Sequence, residues 1–283
     1  MTARLDREEQ GGATTHPFYL TGTKGPLFCV HVTPAARTAP RGGVLYLPPF
    51  AEESNRARRM AILQARRLAA RGWSVLLLDL FGTGDSGGEF HDARWEVWLD
   101  DADRAAKWLA GHVPGQPLVL WGVRLGGLLA TALAAKDAGR FQRLLLWQPV
   151  LRGDRFVTQF LRLRVAAAMA AGEKETTQTL RERIAAGERL EVAGYELAPN
   201  LVSAIDNVQI EQFLDPLARC ALDWFELVPA DREPTLAPAS KRLWDTQSGA
   251  TWRNRVVAGE PFWSIQEITL APHLLEATDA LFA

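Results

Sequence analysis

The chemistry-bearing residues of this chain centre on Gly122-Val123-Arg124-Leu125-Gly126, an arginine flanked at two positions on either side by glycine. Glycines so placed let a chain turn sharply where other backbone crowds it. The arginine limits what such a turn can do. A guanidinium stays protonated and has five donors but no lone pair, so it cannot attack a carbonyl, yet it can grip a carboxylate or phosphate. Buried at the mouth of a turn, it must be paired or solvated. One candidate partner is Glu52 or Glu53, in the loop after an earlier apolar run; the other is an anionic ligand at the N-terminus of a helix beginning at Leu125. Phe50, Val123 and Leu125 are the apolar residues expected to line the same pocket. Two weaker candidates for catalysis are Asp231, in Glu226-Leu227-Val228-Pro229-Ala230-Asp231, and His273, in Ala271-Pro272-His273. His273 also reads as a residue at the start of a terminal helix.

The elements that must position these groups follow from the apolar pattern. Val44–Leu47, Val75–Leu78, Leu118–Trp121 and Arg143–Trp147 are short continuous runs closed by Gly, Pro, Asp or Gln, as expected of strands buried on both faces. Helical stretches at 56–71, 95–112 and 125–138 lie between them, with apolar residues at three-to-four spacing. That alternation predicts a mostly parallel, doubly wound α/β sheet. An opening hairpin is expected from Phe18–Tyr19 and Leu27–Val32. After Pro149 the pattern changes to two long helical segments, 154–171 and 176–186, and strand character returns at 220–228 and 255–257. The expected organisation is a flexible lead over 1–17, a core of 18–149 and 218–283, and a helical cap insertion over 150–217.

Composition narrows the function classes. With 32 Lys+Arg against 33 Asp+Glu the 283-residue chain has a formal net charge of -1, so no overall field draws it to nucleic acid or to an anionic membrane. Cys29 and Cys220 are too few for a disulfide framework or a cysteine-rich zinc site and suit a reducing compartment, with the cytoplasm as the default. No signal-like apolar stretch occurs near the N-terminus. The one membrane-length candidate, 118–135, has Arg124 at its centre and is better read as strand, turn and helix; no transmembrane segment is expected. Nothing in the sequence calls for a cofactor or a metal. Most of the ten tryptophans are expected in the core, with Trp121, Trp147 and Trp263 near the pocket. The arginines at 152, 155, 162 and 164 read as a solvated helix face.

The strand-turn-helix at 118–138, with Leu78-Asp79-Leu80-Phe81-Gly82-Thr83-Gly84-Asp85-Ser86-Gly87-Gly88 after an earlier strand, resembles the α/β-hydrolase superfamily. In that superfamily a G-x-S-x-G elbow carries the nucleophile. Here the small flanks remain and arginine replaces serine. Asp231 stands where the catalytic acid usually follows the penultimate strand, whereas Gly259-Glu260-Pro261-Phe262-Trp263 has no histidine after the last one. Without serine or base, ordinary serine-esterase chemistry is not expected. Asp85 and Ser86 read as turn-shaping residues.

A narrower resemblance rests on Leu47-Pro48-Pro49-Phe50-Ala51-Glu52-Glu53-Ser54-Asn55, on Arg58-Arg59-Met60, on Gly194-Tyr195-Glu196-Leu197 and on Gly259–Trp263. Over about residues 16–280 the chain resembles the exosortase A system-associated hydrolase 2 family. The resemblance implies a bacterial protein encoded beside exopolysaccharide synthesis and the exosortase that sorts PEP-CTERM proteins, with proteins of that pathway as possible partners. The leading expectation is a non-classical member that binds a small anionic or acyl ligand. Alternatives are an ester or thioester hydrolase whose water is activated by Asp231 or a pocket glutamate, and a non-catalytic scaffold.

Overall fold

The computed structural model describes residues 13–35, 39–247 and 251–283. Residues 1–12 of the expected lead lie outside them. The chain opens with β1 (Ala13–Thr21) and β2 (Pro26–Pro34), then β3 (Gly42–Leu47), α1 (Glu52–Ala70), β4 (Trp73–Leu78), α2 (Trp95–His112), β5 (Leu118–Val123), α3 (Leu125–Lys136) and β6 (Arg143–Trp147). It continues through α4 (Gly153–Ala170), α5 (Thr177–Ala185), β7 (Leu190–Val192), β8 (Tyr195–Leu197) and α6 (Pro199–Asp206). It closes with β9 (Ala221–Val228), α7 (Pro238–Thr246), β10 (Trp252–Ala258) and α8 (Pro272–Asp279).

Among the described residues, eight strands form one sheet in the order β1-β2-β4-β3-β5-β6-β9-β10. The opening hairpin joins antiparallel to β4, and every pairing from β4 to β10 is parallel. Every residue of β3 and β5 is buried, which is why these strands are continuous apolar runs without alternation. Alternate side chains serve two cores. Val44, Tyr46, Val119, Trp121, Leu145 and Trp147 pack toward α1 and α8; Leu45, Leu47, Leu120, Leu144 and Leu146 pack toward α2 and α3. Trp121 and Trp147 are thus core residues on the α1 side, with ring centroids 4.7 Å apart.

Between β6 and β9 the chain contributes no strand to this sheet. It forms α4, α5, the β7–β8 hairpin, α6 and short 3-10 turns. Ala193 and Gly194, both at positive φ, make the tight turn that the hairpin requires. Tyr195 and Glu196 tie it to the rest of the fold: Asn55 Nδ2 donates to the Tyr195 hydroxyl at 3.0 Å, and His91 Nδ1 lies 2.8 Å from Glu196 Oε2.

Several elements depart from the sequence expectation, among them the β7–β8 hairpin within the expected helical cap, whose three-residue strands are too short to register a period. β1 begins at Ala13, five residues before Phe18, because its backbone pairs along the whole of β2, while its mostly exposed side chains give no apolar signal. α1 begins at Glu52, four residues before Arg56. Helix α7 is not foreshadowed by periodicity, although Pro238 at its first turn is a start signal.

Candidate functional site

β5 runs directly into α3 through Arg124, whose φ of 54° and ψ of -119° place a non-glycine residue in strained backbone. The glycines around it explain how the turn closes. A Cβ at Gly126 would collide with the carbonyl oxygens of Leu47 and Pro48, and one at Gly122 would collide with Gly126 and Gly127 backbone. Helix α3 therefore seats against the loop after β3 with no room for a side chain between them. That facing loop has nearly the same bend: Ala51, ahead of α1, has φ 52° and ψ -128°.

The Arg124 guanidinium is largely buried and held on three sides. Its Nε donates to Glu53 Oε1 at 3.2 Å, and Nη1 lies 3.5 Å from the Gln148 carbonyl oxygen. The Trp263 ring centroid is 5.3 Å from Cζ and the Phe156 centroid 5.9 Å, both within cation–π range. Burial pushes the Glu53 carboxyl above its ordinary range, and Arg124 pulls it back only in part. The second Glu53 oxygen is buried without a hydrogen-bond partner among the described residues. Glu52, the neighbouring carboxylate, makes no hydrogen bond to Arg124, and burial also raises its pKa.

Arg124 forms part of the wall of a pocket of about 610 Å³, open between the start of the cap segment and α7. Four arginines, at 124, 152, 155 and 242, and two glutamates, at 211 and 226, line it together with Gln148, Phe156 and Leu243. Arg152 is chelated by Asp154 at 3.0 and 3.1 Å. Among the described residues, no carboxylate is hydrogen-bonded to Arg155 or Arg242. Glu226 is buried and fully engaged, accepting from Trp224 Nε1 at 3.1 Å and from the Ala237 amide at 2.8 Å. A carboxylate so used stabilises the α7 approach and is poorly placed to activate water.

Of the residues expected at the pocket from sequence, only Arg124 lines it. Glu53 lies behind the guanidinium, and Glu52 is not in the wall. Val123 is a core residue of β5. Phe50 packs edge-on against Phe90, Trp98, Phe156 and Phe160, so the cap aromatics bury it. Phe50 and Leu125 instead border a cleft between the two bends of about 10 Å³, room for no more than a single water. Asp231 lies exposed in the loop after β9, outside the pocket wall. His273 is on the surface of α8, its side chain 69% exposed and 3.5 Å from Glu276. Neither is brought to Arg124. Trp263, in the segment after the last strand where Pro261 or Phe262 is expected in place of the histidine, covers the guanidinium.

Gln148, Arg155, Glu226 and Arg242 line the pocket without having been singled out for it by the sequence. Gln148, at φ 44°, follows the buried β6 and accepts the Leu227 amide at 2.8 Å through Oε1. A polar residue closing an all-apolar strand run is the signal that points to it. Ser86, by contrast, is structural: its hydroxyl donates to the Asp79 carbonyl at 2.6 Å and accepts from the Phe28 amide at 2.8 Å. Among the described residues no cluster of ligating side chains fits a metal ion.

Residues 38–223 match the model of the family described as serine aminopeptidase, S33. The chain belongs to this S33 family of α/β hydrolases. Among curated proteins none matches it. Solved structures agree on the fold. Est1E from Butyrivibrio proteoclasticus, solved with ferulic acid bound, is 15% identical with a TM-score of 0.66, over 94% of this chain and 96% of that one. The hypothetical protein PA2218 from Pseudomonas aeruginosa is 13% identical with a TM-score of 0.64, over 95% and 93%. XC6422 from Xanthomonas campestris, described as a serine hydrolase without lid, is 16% identical with a TM-score of 0.54, over 95% and 91%. This S33 member thus has the α/β-hydrolase fold with arginine at its elbow. None of its described helices is long and apolar enough to cross a membrane.

Proposed function

We propose that this protein binds a small anionic ligand with an acyl or other apolar body and does not form a serine acyl-enzyme. The observation that carries the reading is Arg124 at the elbow, fixed by Glu53 and covered by Trp263, in the wall of a pocket that also has Arg155 and Arg242. A carboxylate or phosphate head would take charge-assisted hydrogen bonds from the guanidinium groups and gain from the nearby N-terminus of α3. Phe156, Leu151 and Leu243 supply apolar wall for the rest. The stretch from Leu47 to Met60 supports a role beside exopolysaccharide synthesis and exosortase sorting. Two buried, unbridged cysteines are in keeping with a reducing cytoplasm.

The test compares decanoate and decyl phosphate with decanol by thermal unfolding. At about 100 times its Kd an anionic ligand adds roughly 2.7 kcal/mol, enough to raise the Tm by several degrees. The charged ligands should shift the Tm more than decanol, and an Arg124→Met, Glu53→Gln double variant, which leaves no stranded charge, should lose the difference. Equal shifts for all three ligands would refute the reading.

A further inference from the structure

A second cavity, sharing no residue with the elbow pocket, lies between α1 and the sheet where β2, β3 and β4 meet. It measures about 250 Å³ and its walls are mostly apolar, with Val30, Ala61, Ile62 and Leu77 among them. Tyr46 faces it from the centre of β3. This residue is 5% exposed, yet its hydroxyl has no hydrogen-bond partner among the described residues. The Ser54 hydroxyl, also in the wall, likewise has none. At the mouth, Arg58 donates to Asp79 at 3.1 Å, with the arginine side chain 44% exposed and the aspartate 11%. Arg58 is thus partnered through Nη2 at the mouth, and the neutral side-chain hydrogen-bonding groups in the wall are two hydroxyls.

With no protein partner among the described residues, either hydroxyl is free to pair with an oxygen of a molecule in the cavity. A dry apolar cavity of about 150 Å³ takes up benzene, so this one has room for a bicyclic molecule. Size and chemistry together define an occupant. We propose that the cavity is a second ligand site, taking an uncharged apolar molecule with one hydrogen-bonding oxygen that pairs with the Tyr46 hydroxyl. A charged head is disfavoured, because Arg58 already has Asp79 and entry of an ion would break that pair.

Naphthol and naphthalene serve as probes, with binding to the full chain followed by ligand-observed NMR. Naphthol should bind saturably. Tyr46→Phe, which keeps the ring and removes only the oxygen, should weaken naphthol roughly 2- to 10-fold, the worth of one hydrogen bond, and leave naphthalene no weaker. Ile62→Trp, filling the cavity from its partly exposed rim, should abolish both, with circular dichroism confirming the fold. Saturating decyl phosphate should leave naphthol binding unchanged. Failure of naphthol to bind, an equal loss for both probes in Tyr46→Phe, survival of binding in a folded Ile62→Trp, or displacement by decyl phosphate would each overturn the assignment. Because the elbow anion is not a reactant in the first three measurements, they are independent of the proposal made for Arg124.

Discussion

Glu53 meets Arg124 across 71 positions of chain through one bond, Nε to Oε1 at 3.2 Å, and leaves its other oxygen buried and, among the described residues, unpartnered. The pair is therefore poised between two costs. Burial penalises the carboxylate, and the guanidinium is the main offset to that penalty, with a smaller one from Arg56. Each half holds the other in a place neither would occupy alone.

A pH dependence follows from the direction of the Glu53 shift. Its carboxyl is raised above the ordinary 4.5, so above that pH the native state retains a proton that the unfolded chain has released. The stability this adds is fullest below 4.5 and is lost as pH climbs through the folded value. Arg124→Ala removes the compensating charge, lifts the carboxyl further and widens the window. In urea unfolding the variant should lose about 3–5 kcal/mol at pH 8 and clearly less at pH 5, where Glu53 is closer to neutral. Asp101 and Asp223, also raised by burial, cancel in the comparison with wild type, and Glu52, which feels the Glu53 charge, is held constant by making Glu52→Gln in both proteins. Equal losses at both pH values would show that no buried charge depends on Arg124.

How far the sequence reaches is clearest at individual residues. The buried strands β3, β5 and β6 are legible because burial on both faces leaves a continuous apolar run, whereas β1 is an edge strand whose backbone pairing leaves no such trace. The elbow is legible from Gly122 and Gly126, since only glycine fits there. Which of two adjacent carboxylates meets Arg124 is not, because helical phase depends on where α1 starts, and Ala51 fixes that start through a positive φ with no residue signature. The pocket wall made by α7 is hidden for a different reason. In nine residues the helix buries only Ser240 and Leu243, too few to register a period.

Close packing at the elbow gives a prediction of opposite signs. Gly126→Ala drives a Cβ into the carbonyl oxygens of Leu47 and Pro48, which belong to backbone and cannot rotate away, so it should destabilise by about 1–3 kcal/mol. Gly111→Ala, near the end of α2 with nothing within 4 Å of the new carbon, should instead stabilise by up to about 1 kcal/mol. Denaturant midpoints measure both, and a tolerated Gly126→Ala would contradict the contact between α3 and the facing loop.

Arg155 and Arg242 differ from Arg124 and Arg152 in having no carboxylate hydrogen-bonded to them among the described residues. Arg242→Glu should therefore weaken decyl phosphate several-fold without disturbing the fold, and should flatten the salt dependence of binding, because an exposed charge acts through a field that salt screens. Titration calorimetry at low and high salt reads both effects. An unchanged affinity would confine recognition of the anion to Arg124.

The last prediction separates a lost nucleophile from a lost machine. Wild type should not react with fluorophosphonate probes, since Arg124 has no electron pair to give. Restoring the hydroxyl should not help. In Arg124→Ser the new side chain would find the Trp263 ring beside it, no histidine in the segment Gly259–Trp263, and His273 exposed on another helix. A serine without a base is a poor nucleophile at neutral pH. Mass spectrometry after prolonged exposure should find no adduct at position 124 in a variant whose circular dichroism matches wild type. Stoichiometric labelling there would reveal a base within reach of the elbow and refute this account of the site.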